Sequence, residues 1–250
     1  MEGHSSVYDL LMGVACDRGA GHLVLLDPDR LDAAGLRTMA REASDGGADA
    51  ILVGSSLLLT GDFDGLVALV KEGASVPVIL FPGSASQVSR HADAIFYLSL
   101  VSGRNPDLLI GEHVKAAPLL KRYDVEVIPV AYMIVESGTL SSVAYMSHTL
   151  PIPRDKADIA MTHALAGEYL GMKMAYLDAG SGARLSVPTA MIEAVSSYIS
   201  IPLIVGGGIR TPEQAREAVE AGASFVVTGN VLEGNADRVG EFARAVHRAE

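Results

Sequence analysis

The sequence predicts a single (β/α)8 barrel of the TIM type, an α/β fold. Three observations carry the prediction: about eight short apolar runs recur along the chain, segments of helical spacing separate most of them, and 250 residues suit a closed barrel of that kind. The runs begin near His22, Ala50, Pro77, Ala94, Val125, Met172, Pro202 and Ser224, with Gly, Pro, Asp or Ser at their borders. Alternation of a short apolar run with an amphipathic segment gives parallel strands joined by crossover helices. Thr211, Pro212 and Gln214 provide an N-cap, a first-turn proline and a capping-box partner, and Gly222 provides the stop. Asp155 with Asp158 starts a helix in which Ile159, Thr162, Ala166 and Tyr169 or Leu170 share one face, ending at Gly171. The interval from Val135 to Met172 is longer than the other crossovers and contains SGTLSSVAYMSHTLPIPR. Departures from the regular barrel are therefore expected around the fourth to fifth units, as a loop over the mouth or a plain surface excursion. No linker divides the chain, so residues 1–250 read as one domain.

Composition excludes several classes. A net charge of -11 and a pI near 5.0, without a basic run, argue against a nucleic-acid partner. Cys16 is the only cysteine, so no intramolecular disulfide can form, and a reducing, cytoplasmic setting is expected. The opening MEGHSSVYDL lacks a basic segment followed by an apolar stretch, so no signal peptide is expected. The richest apolar stretch, Val125 to Val135, is broken by Glu126 and Pro129 and falls short of the roughly 20 residues a spanning helix needs. A mean hydropathy of +0.31 is high for a soluble acidic chain and leaves room for an apolar ligand groove or a homo-oligomer interface.

Three glycine-containing turns close apolar runs near the C-terminus: YLDAGSG at Tyr176 to Gly182, VGGGIRTPEQA at Val205 to Ala215, and VVTGN at Val226 to Asn230. Such turns make a phosphate cup, because glycine lets several backbone N-H groups approach one anion. In a parallel barrel the last strand-to-helix turns occupy that position. The first run ends in Asp27, Pro28 and Asp29, where a carboxylate could hold Mg2+ or merely cap a turn. Ser55 and Ser56 bring hydroxyls to the same end, and Gly83 with Ser84 suggests a second anion subsite there. Asp178 lies two residues after Tyr176, so both point to one side of a strand, as base and phosphate donor or as a buried core pair. The seven histidines lack metal-ligand spacing, and no Ser-His-Asp, Walker A or GxGxxG pattern fits its context. Arg104, Arg154 and Arg210 fall in or beside turns, available to diphosphate or simply solvated.

The segments LLDPDR, VILFPGS, AYMIVESG, PIPRDKADIAMTHALAGEYLGM, YLDAGSGA, VGGGIRTPEQA and VVTGN, in this order over nearly the whole chain, resemble the geranylgeranylglyceryl phosphate synthase family. The resemblance implies a prenyltransferase joining sn-glycerol 1-phosphate to geranylgeranyl diphosphate, which makes the first ether bond of archaeal membrane lipids and releases diphosphate. It implies that Tyr176, Leu177, Asp178, Ala179, Gly180, Ser181, Gly182, Gly207, Gly208, Gly229 and Asn230 hold glycerol phosphate, with Asp178 catalytic. Asp27 and Ser56 would bind Mg2+ carrying the diphosphate. Two positions depart from the pattern: Asp178 stands where many members have Glu, and Leu25 where some have Lys. Because the prenyl donor and the product are both lipids, the resemblance also implies transient contact with a membrane surface, although no basic amphipathic helix marks a docking face.

A long prenyl chain needs an apolar groove, with Phe96, Tyr97, Leu98, Leu100, Val101, Tyr132 and Ile134 as wall candidates whose ordinary place is the barrel core. The alternatives are a related synthase of different prenyl length, a phosphate-binding barrel isomerase, or a non-catalytic ligand sensor. The isomerase needs acids after the first and fifth strands, and the fifth run offers only Glu136.

Overall fold

The computed structural model describes residues 6–59, 61–233 and 235–247; residues 1–5, half of the opening segment read for a signal peptide, lie outside the described residues. Eight parallel strands close in sequence order into one barrel. They are β1 (Gly21–Leu26), β2 (Ala50–Val53), β3 (Val78–Leu80), β4 (Ala94–Leu100), β5 (Glu126–Ile134), β6 (Met174–Asp178), β7 (Leu203–Gly206) and β8 (Phe225–Thr228). Each of the eight apolar runs yields one strand. Closure comes from β1 pairing with both β2 and β8, with Leu23 opposite Ala50 and Val227.

Strand alternation sorts the apolar side chains into two layers. Leu23, Leu52, Ile79, Phe96, Val130 and Phe225 fill the barrel. Val24, Ile51, Val53, Leu177, Val205 and Val226 face outward onto the helices. Burial on both faces is why the strands read as continuous apolar runs. Helix α1 (Val7–Arg18) adds Val7 and Leu11 to the interior cluster. Its first amides, of Val7 and Tyr8, donate to the Glu126 carboxylate at 2.5 and 3.1 Å, at the start of β5. A carboxylate there also meets the positive end of the helix dipole.

The crossovers are α2 (Ala33–Asp45), α3 (Phe63–Gly73), α4 (Glu112–Tyr123), α6 (Ala157–Tyr169), α7 (Thr189–Ser196) and α8 (Pro212–Glu220), with α5 (Ser142–Ser147) a short extra helix before α6; α9 (Val239–Val246) follows β8. The expected departures in the fourth and fifth units take two forms. A π-helical turn, Asp107–Gly111, precedes α4, and α5 occupies the long segment after β5. A third departure was not anticipated: residues 81–93, between β3 and β4, contain no helix. That gap opens the flank of the barrel beside α4.

The α8 start matches expectation, with Thr211 accepting from the Gln214 amide in a full capping box. The α6 reading needs two corrections. The N-cap is Lys156, without a side-chain cap, and Asp158 lies in the first turn. The buried face is Ala160, Ala164 and Gly167, while Ile159, Tyr169 and Leu170 are exposed. The cause is close packing on β5: a Cβ at Gly167 would overlap Ala131, so small residues must take the seam and the large ones turn outward. Among the described residues no helix is long and apolar enough to cross a membrane.

Candidate active site

A cavity of about 1010 Å³ opens at the C-terminal ends of the strands and extends along the flank left open by the helix-free connection between β3 and β4. Asp27, Ser56, Tyr176, Asp178, Ser181, Gly182, Gly207, Gly208, Gly229 and Asn230 all line it. The other three predicted residues do not. Leu177 and Ala179 pack outward in the helix layer, and the Gly180 N-H donates to Asp178 Oδ1 at 2.7 Å.

The cup is main chain folded by glycine. Gly207 and Gly208 have φ of +80° and +71°, left-handed conformations that glycine adopts without steric cost. Space makes the same demand at Gly207, where a Cβ would lie 2.7 Å from Asp178 Oδ1. Across the cup, Asn230 Oδ1 accepts from the Ser181 hydroxyl at 3.0 Å and from the Gly182 amide at 3.3 Å.

Asp178 ends β6 with its side chain in the barrel interior, two residues beyond Tyr176, as alternation requires. Both are buried, yet both line the cavity. Asp178 Oδ2 accepts from the Tyr132 hydroxyl, and β5 brings Tyr132 directly opposite Tyr176. Burial pushes the Asp178 carboxyl above its ordinary range, opposed by the hydrogen bonds from Tyr132 and Gly180. The Tyr132 and Tyr176 hydroxyls are pushed well above the usual tyrosine value, first by burial and then by the Asp178 charge, so both stay protonated. Phe81 completes an aromatic trio, 5.9 Å from the Tyr132 ring and 5.5 Å from that of Tyr176. Sequence reasoning placed Tyr132 only in a groove wall. Its pairing with Asp178 needs the β5–β6 register, which one strand alone does not disclose.

At the β1 end, Asp27 Oδ1 accepts from the Asp29 amide at 3.1 Å. Asp27 Oδ2 lies 3.4 Å from both the Ser55 hydroxyl and Arg30 Nε. The hydroxyl nearest Asp27 is thus that of Ser55, with Ser56 in the same cavity wall. Buried Gln87 fixes this turn, accepting from the Ser55 amide at 3.1 Å and donating to its carbonyl at 2.7 Å. Gly54 precedes it because any side chain there would overlap the Phe81 carbonyl. The Asp27 carboxylate beside the Ser55 hydroxyl, with Ser56 in the same cavity wall, is an open set of hard oxygen donors, the type Mg2+ uses when substrate phosphates and water complete its shell. Among the described residues no group of three or more His, Cys, Asp or Glu could enclose a metal. The residues present fit a shared, substrate-completed Mg2+ rather than a closed protein site.

Of the three arginines singled out in the sequence, each bonds a carbonyl: Arg104 that of Gly103, Arg154 those of Glu136 and Ser186, Arg210 that of Ala183. Only Arg210 lines the cavity. Arg30, which sequence reasoning passed over, also lines it, and its Nη1 lies 3.2 Å from Glu233 Oε2. Of the groove candidates, Tyr97, Leu98, Leu100 and Tyr132 are in the cavity wall. Phe96 and Ile134 fill the barrel instead, and Val101 packs on the helix layer.

The PcrB family matches the chain over residues 14–247. The geranylgeranylglyceryl phosphate synthase of Chitinophaga pinensis is 45% identical over 246 residues, covering 98% of each chain. The synthase of the same name from Thermococcus gammatolerans is 50% identical over 213 residues, 85% of this chain and 84% of that one. A crystal structure of (S)-3-O-geranylgeranylglyceryl phosphate synthase from Thermoplasma acidophilum, in complex with its substrate sn-glycerol-1-phosphate, superposes with a TM-score of 0.93 at 32% identity, covering 98% of this chain and 100% of that one.

Proposed function

This chain belongs to the PcrB family, and on that premise we propose that it is a geranylgeranylglyceryl phosphate synthase, a prenyltransferase that joins sn-glycerol 1-phosphate to geranylgeranyl diphosphate. The products are 3-O-geranylgeranyl-sn-glyceryl 1-phosphate and diphosphate. The observation that carries this reading is the buried Asp178, set between the glycine cup and the cavity that reaches Asp27.

Glycerol phosphate binds with its phosphate on the turns after β6, β7 and β8, held by Gly207, Gly208, Gly229, Asn230, Ser181 and Gly182, all in the cavity wall. Its C3 hydroxyl reaches toward Asp178. Burial makes that carboxylate a stronger base, and the bonds from Tyr132 and Gly180 keep it ionised and aimed. The shorter Asp, in place of Glu, takes the proton directly or through one water. The glycerol oxygen bonds to C1 of the donor as the bond from C1 to the diphosphate oxygen breaks, and the hydroxyl proton passes to Asp178. Positive charge developing at C1 is favoured by the faces of Phe81, Tyr132 and Tyr176. Asp27, with Ser55 and Ser56, would hold Mg2+, which neutralises charge on the departing diphosphate. The apolar tail lies along the flank between residues 81–88 and α4, against Tyr97, Leu98 and Leu108.

The whole chain acts as one domain in the cytoplasm, with its mouth in transient contact with the membrane that carries the donor and product. Exposed Tyr169 and Leu170, at the C-terminal end of α6, support a homo-oligomer.

The test is to incubate the protein with Mg2+, sn-glycerol 1-phosphate and a ladder of prenyl diphosphates and to identify products by mass spectrometry. A geranylgeranyl ether is expected. A longer favoured product would move the reading to a synthase of different prenyl length, and no ether from folded protein would remove it.

A further inference from the structure

We propose that Arg30 is the cation that grips the diphosphate of the prenyl donor, held between two carboxylates until the donor arrives. This assignment rests on the prenyltransferase reading above. Arg30 follows β1 by four residues, and its guanidinium bridges the two halves of the cavity mouth. Nε lies 3.4 Å from Asp27 Oδ2 and Nη1 lies 3.2 Å from Glu233 Oε2. Glu233 Oε1 accepts in turn from Asn230 Nδ2 at 3.0 Å, and Asn230 Oδ1 accepts from Ser181. One chain of polar contacts therefore runs from the expected metal carboxylate through Arg30 and Glu233 to the phosphate cup.

Charge makes the assignment specific. The chain carries a net -11, and Asp27, Asp29, Glu112, Asp178 and Glu233 all line the cavity, so a diphosphate entering it needs positive charge near the mouth. Among the described residues no lysine lines the cavity, and three arginines do. Arg210 bonds the Ala183 carbonyl, and Arg238 pairs with Glu241 over the Phe242 ring. Arg30 differs from both, because one of its partners is the carboxylate that the bound donor would engage. When Asp27 takes up a divalent cation, its Oδ2 can no longer serve the guanidinium without bringing two positive groups together. Nε is then released toward the phosphate oxygens, while Glu233 still holds Nη1. The exchange is easy, since an ion pair 47% exposed on the arginine side is weak and a charge-assisted arginine–phosphate contact is stronger. A guanidinium carries five N-H donors, so it can keep Glu233 and still present a fork to the diphosphate.

The test uses inorganic diphosphate as the probe and needs no turnover. Calorimetric titrations with and without Mg2+ compare the unsubstituted protein with Arg30→Met and Arg30→Lys, each shown to be folded by thermal melting, and sn-glycerol 1-phosphate serves as the control ligand. Arg30→Met should weaken Mg2+-dependent diphosphate binding by about 10- to 100-fold, Arg30→Lys should recover part of it, and glycerol phosphate affinity should stay within about twofold. Unchanged diphosphate affinity in folded Arg30→Met overturns the assignment. So does an equal loss for both ligands, which would make Arg30 a prop for the cup, or an absence of Mg2+-dependent binding in the unsubstituted protein. Arg30-dependent binding without any ether product would sink prenyl transfer and leave the diphosphate grip standing. Ether product with Arg30-independent binding would sink the grip alone.

Discussion

On the β6 to β8 side of the mouth the site is made of main chain. Its geometry is set by left-handed glycines such as Gly207 and Gly208, and Asp178 is locked beneath them by a tyrosine and an amide. On the β1 to β4 side it is made of side chains and of a missing helix. Asp27 and Arg30 are partly exposed there, and the flank beside α4 stands open because residues 81–93 form no helix. A small, rigid anion suits the first construction and a long apolar chain with a metal-bound head suits the second. Variants on one side should therefore disturb one substrate and spare the other.

The largest separation is expected from the β1 side. Asp27→Ala should lower Mg2+-dependent transfer by at least about 1000-fold, since Lewis-acid stabilisation is worth several kcal/mol. Its Tm should move by no more than about 2 °C, because Asp27 makes only partly exposed contacts. Assays over a Mg2+ series together with melting curves check this, and full activity would remove the metal assignment. Next comes the cup. Gly207→Ala forces a Cβ against Asp178 and adds about 1–2 kcal/mol of left-handed strain. KM for glycerol phosphate should rise about 10-fold or more and Tm fall by about 3–6 °C, with KM for the prenyl donor little changed. An equal rise in both KM values would dissolve the division between the two sides.

That division also decides what the sequence could disclose. Main-chain sites leave a mark because only glycine tolerates their φ and closeness, so the three C-terminal turns were readable. The eight strands were readable because burial on both faces demands apolar runs. The open flank was not: residues 81–93 look like any connection, and the lack of a helix is a fact about what packs elsewhere. The α6 face was misread because its seam on β5 needs Ala160, Ala164 and Gly167, so the largest side chains lie outside. Which of two adjacent serines meets Asp27 depends on a turn closed by Gln87, 32 residues away from Ser55. Arg30 owes its place to Glu233, 203 positions along the chain.

Tyr132→Phe tests the seam between the two sides, since β5 carries the hydroxyl and β6 the carboxylate. The groups that bear on Asp178 are Tyr132 from β5 and the Gly180 amide, with the protonated Tyr176 beside it on β6. Burial raises the Asp178 pKa and the Tyr132 bond opposes it, so losing that bond raises the pKa further. In the proposed mechanism Asp178 acts as the ionised base, so activity should be lost as pH falls through that pKa. The acid limb of kcat should therefore move to higher pH in the variant, while the plateau rate stays within about 10-fold of the original. A limb that stays in place would mean that Asp178 is not the titrating base.

Ser181→Ala should give the smallest effect and the most selective one. The hydroxyl lies on the exposed rim of the cup, where it donates to Asn230 Oδ1 at 3.0 Å, so its removal leaves no buried group unpaired and the fold unstrained. If it turns to a phosphate oxygen when glycerol phosphate binds, the variant loses one neutral-donor hydrogen bond, and KM for glycerol phosphate should rise about 3- to 10-fold. kcat and KM for the prenyl donor should not change, because the bond is made equally in the ground and transition states. Initial rates with each substrate varied in turn measure this. A rise confined to glycerol phosphate would place the hydroxyl on the anion. Unchanged kinetics would show that Ser181 only steadies Asn230, leaving the cup a purely main-chain device and sharpening its contrast with the side-chain site around Asp27.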